Sequence, residues 1–490
     1  MRSPAPAESG TARSLERGLL TNALGILVKA SRTLYLILFG HVLGAAGFGT
    51  YLLAFAVQEA VSKFAILGLN WGGKQLVGRL IADGHGDSVR PTVIRILWIT
   101  LAFSGLVAAA LFLCAGWILA LLQQPSLIAP LRIFACGFPF LCGMYVLVYS
   151  FRPRLDMKYE LYVTSIIEPV GVLVIGAALL LRAPSVEMLA RAHVAASVIA
   201  FLAALYFFDR IYPAAEGRGP PRIDWDILLH GSAAMGGMEL VGNLQSRLDL
   251  FFLARYFPPH VIGVYGAASQ IVSLLRKAKA AFDPILMPIA QGLFLRSNRE
   301  RLQGEVTRAV GWAVYVGLGL LGLMVLLPDE LLGLFGSDFS GAGFGSVLII
   351  LAVGQFFYMS LGLSEGVLAI TGHAYITLVS ALVLVGIEIV LLPLLIPLMG
   401  LEGAALAASI PFVVVTLWRM LQTRRLLDVD LITRMHVRVA VVWLVCLGAA
   451  LMIAAVSGDV SRVGAVVAAI LFLVTYKSIG WRVGIERTGR

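Results

Sequence analysis

A chain of 490 residues that is 59% hydrophobic and 13% charged, with a mean hydropathy of +0.90, is too apolar for a soluble globular protein of any size. The net charge of +10 falls mainly in the loops between apolar stretches, where it reads as an orientation signal and implies no nucleic-acid partner.

The predicted elements are helices. Apolar stretches of about 18 to 25 residues, each long enough at roughly 1.5 Å per residue to cross about 30 Å of hydrocarbon, recur along the chain. Fourteen are read, at 19–41, 48–69, 96–121, 127–149, 163–182, 188–208, 230–254, 261–281, 309–327, 345–370, 376–396, 402–421, 437–456 and 462–478. With the N-terminus inside, the basic residues sort by side. The inner side collects Arg2, Arg13 and Arg17, then Lys74, Arg79, Arg90 and Arg95, then Arg152, Arg154 and Lys158, then Arg210, Arg218 and Arg222. The loop from Arg276 to Arg308, the group from Arg419 to Arg438 and the tail from Lys477 to Arg490 follow, whereas Arg182, Arg191, Arg255 and Arg462 fall outside. Both termini are therefore expected inside. The polar first 18 residues, followed by an apolar stretch carrying Lys29 and Arg32, argue against a cleaved signal peptide.

Signals of soluble chemistry are weak. The run GLGLLG, Gly317 to Gly322, has glycine-loop spacing but lies inside an apolar span with no preceding strand, so close helix packing is the better reading. Asp83, His85 and Asp87 in DGHGD read as a solvated inner turn rather than a metal site. Cys114, Cys136, Cys142 and Cys446 lie in apolar segments without C-x-x-C spacing and read as buried thiols. Short outer loops leave no room for an external catalytic domain, and no nucleotide motif is present. The chain is read as no enzyme, with no cofactor or metal and with a coupling ion, H+ or Na+, left open.

A Pro/Gly/charge-rich segment at 209–229 reads as a cytoplasmic linker between halves. Six spans precede it, so a second copy would enter the membrane from the same side as a parallel repeat. The residues agree. Ser31-Arg32 precedes Gly49-Thr50-Tyr51, Ala54 and Lys63, and Ser246-Arg247 precedes Gly263-Val264-Tyr265, Ala268 and Lys277, at an offset of 215 for the Ser-Arg pair and 214 for the rest. The fold class is accordingly an all-α polytopic membrane protein, with an N-terminal six-helix bundle at 1–208, a C-terminal bundle at 230–425, and two further helices with a basic tail at 426–490.

The matching spans carry unusual charge. Asn22, Gly25, Lys29 and Arg32 stack on one helix face; Phe55, Glu59 and Lys63 are spaced by four, so that Glu59 can neutralise part of the Lys63 charge. Glu239, Asn243 and Arg247, with Asp249 close by, and Tyr265, Ser269, Ser273 and Lys277 repeat the four-residue step. An unpaired charge at mid-bilayer costs about 3 kcal/mol even on the permissive insertion scale, so these faces are expected to line a shared cavity. Cations outnumber acids there, which suits a phosphate-bearing ligand. The competing reading is that the charges pair with each other and fix the packing. Arg132 near a membrane end reads as a snorkelling side chain, and Glu168, Glu365 and Glu388 as lone carboxylates for packing or ion coupling.

The stretches SRTLYLILFGHVLGAAGFGTYLLA and QSRLDLFFLARYFPPHVIGVYGAASQIV resemble the repeated opening of Wzx-type polysaccharide transporters, in the multidrug/oligosaccharidyl-lipid/polysaccharide (MOP) exporter superfamily. LFGSDFSGAGFGSVLIILAVGQ and MGLEGAALAASI resemble segments of that family's second half. The resemblance implies two six-helix bundles in a V around a central cavity, and alternating-access transport of an undecaprenyl-diphosphate-linked oligosaccharide across the bacterial inner membrane, for O-antigen, capsule or exopolysaccharide assembly. Lys29, Arg32, Lys63, Arg247 and Lys277 would hold the diphosphate; Asn22, Gln58, Asn243 and Gln270 would contact sugar; Glu59, Glu239 and Asp249 would be charge partners or ion-coupling groups. Expected partners are the lipid-linked oligosaccharide, the bilayer, and polysaccharide polymerase and export proteins. Rival readings are a lipid II flippase, an ion-coupled drug exporter of the same superfamily and, more remotely, a membrane-bound sugar polymerase or ligase.

Overall fold

A computed structural model describes residues 8–122, 124–154, 157–214, 219–341, 343–456 and 469–476, with the side chains of residues 8–31 and of a few scattered positions left aside. The chain is an all-α polytopic membrane protein. Its helices are α1 (Glu8–Ile66), α2 (Leu69–Ala82), α3 (Val89–Leu122), α4 (Ile128–Phe151), α5 (Met157–Leu161), α6 (Glu168–Leu180), α7 (Val186–Ile211) and α8 (Trp225–Gln245). There follow α9 (Leu248–Tyr256), α10 (Pro259–Leu295), α11 (Arg299–Leu326), α12 (Pro328–Gly333), α13 (Phe344–Leu361), α14 (Leu363–Leu368), α15 (Ala374–Leu427) and α16 (Arg434–Val456).

Among the described residues, eight helical stretches are long and apolar enough to cross a membrane. Two of them exceed one passage: α1 turns at Gly44 and α15 at Gly400, where φ of 66° and 62° is reached without the steric cost a side chain would add. The charged helices α8, α9 and α10 are not among the eight. The expected boundary between the first and second spans thus becomes a glycine turn inside one helical run.

The chain divides into two compact units: residues 1–38, 61–113 and 131–236 form the first, and 39–60, 114–130 and 237–490 the second. In the first, α7 starts at Ser185, whose side chain caps the Met188 amide at 3.3 Å, with Glu187 in the positive first turn. Its buried positions Leu189, His193, Ala196, Ala200, Ala204 and Phe208 step by three and four, the period that keeps one face inward. Of these, Ala200, Ala204 and Phe208 pack in one cluster with Leu76 and Leu80 of α2, Ile96 of α3 and Leu147 and Phe151 of α4. The linker is anchored to this unit: Thr92 Oγ1 accepts from the Arg222 amide at 2.9 Å, and the Gly219 amide donates to the Asp87 carbonyl at 3.3 Å. Cys142 and Cys446 are buried as expected, but Cys114 and Cys136 are exposed on the surfaces of membrane-spanning helices, where an apolar segment presents its outer face.

In the second unit α11 carries its glycines where neighbours come closest. A Cβ at Gly317 would lie 3.0 Å from the Phe356 ring, and one at Gly322 would lie 2.3 Å from Phe472 and 3.1 Å from Trp443 of α16. Tyr476 stacks on Tyr315 at 4.8 Å and donates to its carbonyl at 2.9 Å, which fixes the last described helix against α11. GLGLLG is a packing surface.

Among the described glycines of this unit, the closest approach joins Gly49 and Gly263. A Cβ at Gly49 would lie 1.9 Å from the Pro259 carbonyl oxygen and 2.7 Å from the Gly263 amide; one at Gly263 would lie 2.0 Å from the Ala45 oxygen and 3.1 Å from the Gly49 amide. Gly263 follows Gly49 by 214 residues and Pro259 follows Ala45 by the same interval, so the helices cross with each repeat copy touching the equivalent point of the other. The flanking Tyr51 and Tyr265 are both fully buried. Gly49→Leu and Gly263→Leu should each force the crossing apart and destabilise by at least the roughly 1–3 kcal/mol of an overpacked core. Thermal unfolding of detergent-purified protein checks this, with Gly78→Leu, where a Cβ meets nothing within 4 Å, as the control expected to leave the midpoint nearly unchanged.

Candidate functional site

The seventh predicted span is interrupted. Between α8 and α9 the backbone of Ser246 and Arg247 leaves the helix, with Arg247 at φ −134° and ψ −5°; the Ser246 hydroxyl and amide turn back to the Gly242 carbonyl. A broken membrane helix frees backbone groups that need partners, and this break lies beside charge. Arg247 donates through Nε to Glu59 Oε2 at 2.8 Å and through a terminal nitrogen to the same oxygen at 2.6 Å, with its guanidinium 5.8 Å from the Phe55 ring centre. The four-residue spacing suggests Lys63 for Glu59; the structure adds an arginine 188 residues away, bound to the same carboxylate. Lys63 lies over the Tyr145 ring at 4.7 Å.

Among the described residues, two of the cavities are lined by the second unit alone. The larger, about 270 Å³, is lined by Gln245, Ser246, Arg276, Tyr358, Glu365 and Phe412, among others. The smaller, about 50 Å³, is bordered by Asp249, Ser269, Arg276, Gln355, Glu388 and Ser409. Arg276 belongs to both walls. It lies deep in the unit yet keeps accessible surface because it faces open space. Among the described residues no hydrogen bond or ion pair joins its guanidinium to another side chain. Glu365 by contrast is held: Arg419, itself 3% exposed, donates to its carboxylate at 3.0 Å and to Ser380 Oγ at 2.6 Å. Asp249 accepts from the Tyr265 hydroxyl at 2.8 Å and from the Leu250 amide at 2.8 Å. Gln355 presents a side-chain oxygen that is buried without a partner. Glu388 is buried and feels the charge of Asp249.

The predicted residues distribute as follows. Arg247, Lys277, Glu59, Glu239, Asp249, Gln58, Asn243 and Gln270 lie in the second unit, and Arg32 and Lys63 in the first. The side chains of Asn22 and Lys29 lie outside the described residues. Gln58 and Asn243 each bury an unbonded side-chain oxygen, which leaves acceptor capacity there. Sequence reasoning misses Arg276. It follows Tyr265, Ser269, Ser273 and Lys277 in strict steps of four, and each such step drifts about 40° around a helix of 3.6 residues per turn. Tyr265, Ser269, Val272 and Arg276, stepping by four, three and four, hold one face, and Ser269, Val272 and Arg276 are the ones that border the smaller cavity. Glu365, a lone carboxylate in the sequence, proves to be paired with Arg419 across 54 residues, a contact no local spacing announces.

The first unit holds a cation-aromatic cluster. Arg152 forks onto Glu160 at 2.8 and 2.5 Å and stacks on Tyr149 at 4.1 Å, while Lys74 lies 5.0 Å from the Trp71 ring centre. Burial, and then the charge of Arg152, pull the Lys74 ammonium below its ordinary pKa.

Residues 15–282 match a family model described as polysaccharide biosynthesis protein. No curated protein matches the chain. Among solved structures, the fold is similar to that of lipid II flippase MurJ in an inward closed conformation, at 12% identity and a TM-score of 0.75, covering 94% of this chain and 99% of that one. It is also similar to an inward-facing multidrug resistance MATE family transporter of the MOP superfamily, at 15% identity and 0.70, covering 82% and 94%. A third is the MATE multidrug transporter DinF-BH, at 18% identity and 0.62, covering 88% and 100%. These families and folds are those of membrane transporters and flippases rather than enzymes.

Removing one partner of the Arg247–Glu59 pair strands the other. Glu59→Ala should destabilise the protein by somewhat less than the roughly 3–5 kcal/mol of a fully buried pair, because 16% and 23% of the two side chains remain accessible. Glu59→Ala with Arg247→Met should recover part of that loss, and a double-mutant cycle on thermal unfolding reads the coupling.

Proposed function

The chain belongs to the polysaccharide biosynthesis protein family, and we propose that within it the protein is a flippase that carries undecaprenyl-diphosphate-linked oligosaccharide units across the bacterial inner membrane by alternating access. The observation that carries this reading is the combination of that family with cations held within the helices of an apolar chain, above all Arg247 at the break between α8 and α9. A diphosphate bearing sugars cannot enter hydrocarbon unaided. Fixed guanidinium and ammonium groups replace its water, while the polyprenyl tail stays among lipids.

Arg247 is poised for such an exchange. Both of its hydrogen bonds to Glu59 converge on one carboxylate oxygen, so other N–H groups of the guanidinium fork remain to meet a phosphate. Lys29, Arg32, Lys63 and Lys277 would complete the cationic set, and the unbonded oxygens of Gln58 and Asn243 would accept from sugar hydroxyls. The parallel repeat supports two bundles, 1–208 and 230–425, rocking about a shared site, with 209–229 as a linker and both termini cytoplasmic. No covalent step is needed. Asp249 and Glu388, two carboxylates bordering the same small cavity, are the proposed coupling groups: a proton or Na+ between them offsets their repulsion, and its release lets the repulsion return.

In proteoliposomes, the wild type should flip an undecaprenyl-diphosphate trisaccharide. Arg247→Glu and Arg32→Glu variants that insert normally should lose roughly ten- to a hundredfold in rate, the equivalent of about 1.5–3 kcal/mol for a hydrogen bond to charge. Retained transport in both variants sinks the cationic assignment. Equal flipping of lipid II would widen the substrate range, and a proton or Na+ gradient should accelerate the wild type but not Asp249→Asn.

A further inference from the structure

The larger cavity is a feature that diphosphate recognition leaves unused. At about 270 Å³ it lies just below the usual range for small-molecule pockets, room for one sugar ring and not for a chain of them. Its wall combines three chemistries. Arg276 offers a guanidinium that has no ion-pair partner among the described residues. Tyr358 and Phe412, with ring centres 5.3 Å apart and planes inclined at 58°, offer aromatic surface of the kind that packs on the C–H face of a pyranose. Gln245, Ser246 and Thr377 offer donors and acceptors for hydroxyl groups.

The charges are not arranged to cancel. Glu365 lines the cavity, but Arg419 and the Arg419–Ser380 contact hold its carboxylate in place, so that Arg276 stands opposite an acid already satisfied. A guanidinium deep in a membrane protein costs free energy unless something negative meets it. Asp249 is near enough to act on Arg276 through its field, but its carboxylate is taken up by the Tyr265 hydroxyl and the Leu250 amide; Glu388 borders the smaller cavity, not the larger, and the charge it feels is that of Asp249. We propose that this cavity is a binding pocket for a single anionic sugar ring, a hexuronate, whose carboxylate is held by Arg276 and whose ring packs on Tyr358 and Phe412. The pocket rests on the flippase reading for its role and deepens it: the cargo carries an acidic residue, and one ring of it enters the second unit.

The experiment is calorimetric titration of the full-length protein in nanodiscs with glucuronate, glucose and inorganic phosphate. Glucuronate should bind saturably and at least tenfold more tightly than either glucose or phosphate. Arg276→Gln should weaken it tenfold or more, Arg276→Lys less, since an ammonium keeps the charge and loses the fork. Ala381→Phe, which fills the pocket from another wall without touching any charge, should also abolish binding and covers the case of an Arg276 variant that does not fold. Absence of glucuronate binding by the wild type, phosphate binding as tight as glucuronate, or binding indifferent to both Arg276→Gln and Ala381→Phe overturns the proposal. In parallel, wild-type proteoliposomes are tested with two lipid-linked trisaccharides differing only in glucuronate or glucose at one position. Flipping of neither overturns the flippase reading, while the titration decides the pocket by itself.

Discussion

Charge inside a membrane protein has to be answered by charge or by hydrogen bonds, and the second unit is organised around that requirement. The Arg247–Glu59 pair is its clearest instance. It joins the start of α9 to the second limb of α1, across a point where the helical backbone is broken, and so fixes three chain segments at once. Arg419 with Glu365 and Ser380, and Lys279 with Asp283 at 3.0 Å, repeat the arrangement elsewhere in the unit. With Glu365 and Asp249 bound by other groups, Arg276 is left facing open space, and the chemistry of the cavities follows from that arrangement.

The breaks and the cavities belong together. A continuous helix satisfies its own backbone and presents a closed cylinder; one that stops at Ser246, or at Gly362 between α13 and α14, opens a gap whose walls are side chains of different elements. Ser246 and Gln245 sit at one break, and Tyr358 and Glu365 flank the other; all four line the larger cavity. A cavity with polar groups on a largely apolar wall thus arises between helices. Transport by such a protein depends on ligands meeting groups already oriented, since no reaction intermediate is formed to provide the binding energy.

Much of this is legible in the residues. The hydropathy alone requires a polytopic helical protein, and the recurrence of Gly, Tyr and Lys at an interval of 214 residues singles out the glycines that the structure brings together. The helical character of GLGLLG follows from its apolar surroundings. What the residues do not disclose is partnership. Glu59 has Lys63 four residues on, a neighbour that helix spacing announces, but nothing local announces Arg247, which packing brings to the same carboxylate from 188 residues away. Arg276 is hidden behind its neighbour Lys277 by a drift of one residue in the assumed face. The interruption at Ser246–Arg247 carries neither Pro nor Gly, so no local propensity announces it.

The crossing of Gly49 over Gly263 has a consequence for descent. Two contacting segments ordinarily accept changes in turn, one side chain shrinking as the other grows. Here each segment is the steric environment of the other: a side chain gained at Gly49 strikes the backbone of Pro259 and Gly263, and one gained at Gly263 strikes that of Ala45 and Gly49. Backbone atoms cannot be traded for smaller ones, so no second change in the opposite helix can relieve the first. However far the rest of the sequence drifts, these two positions are expected to stay glycine together.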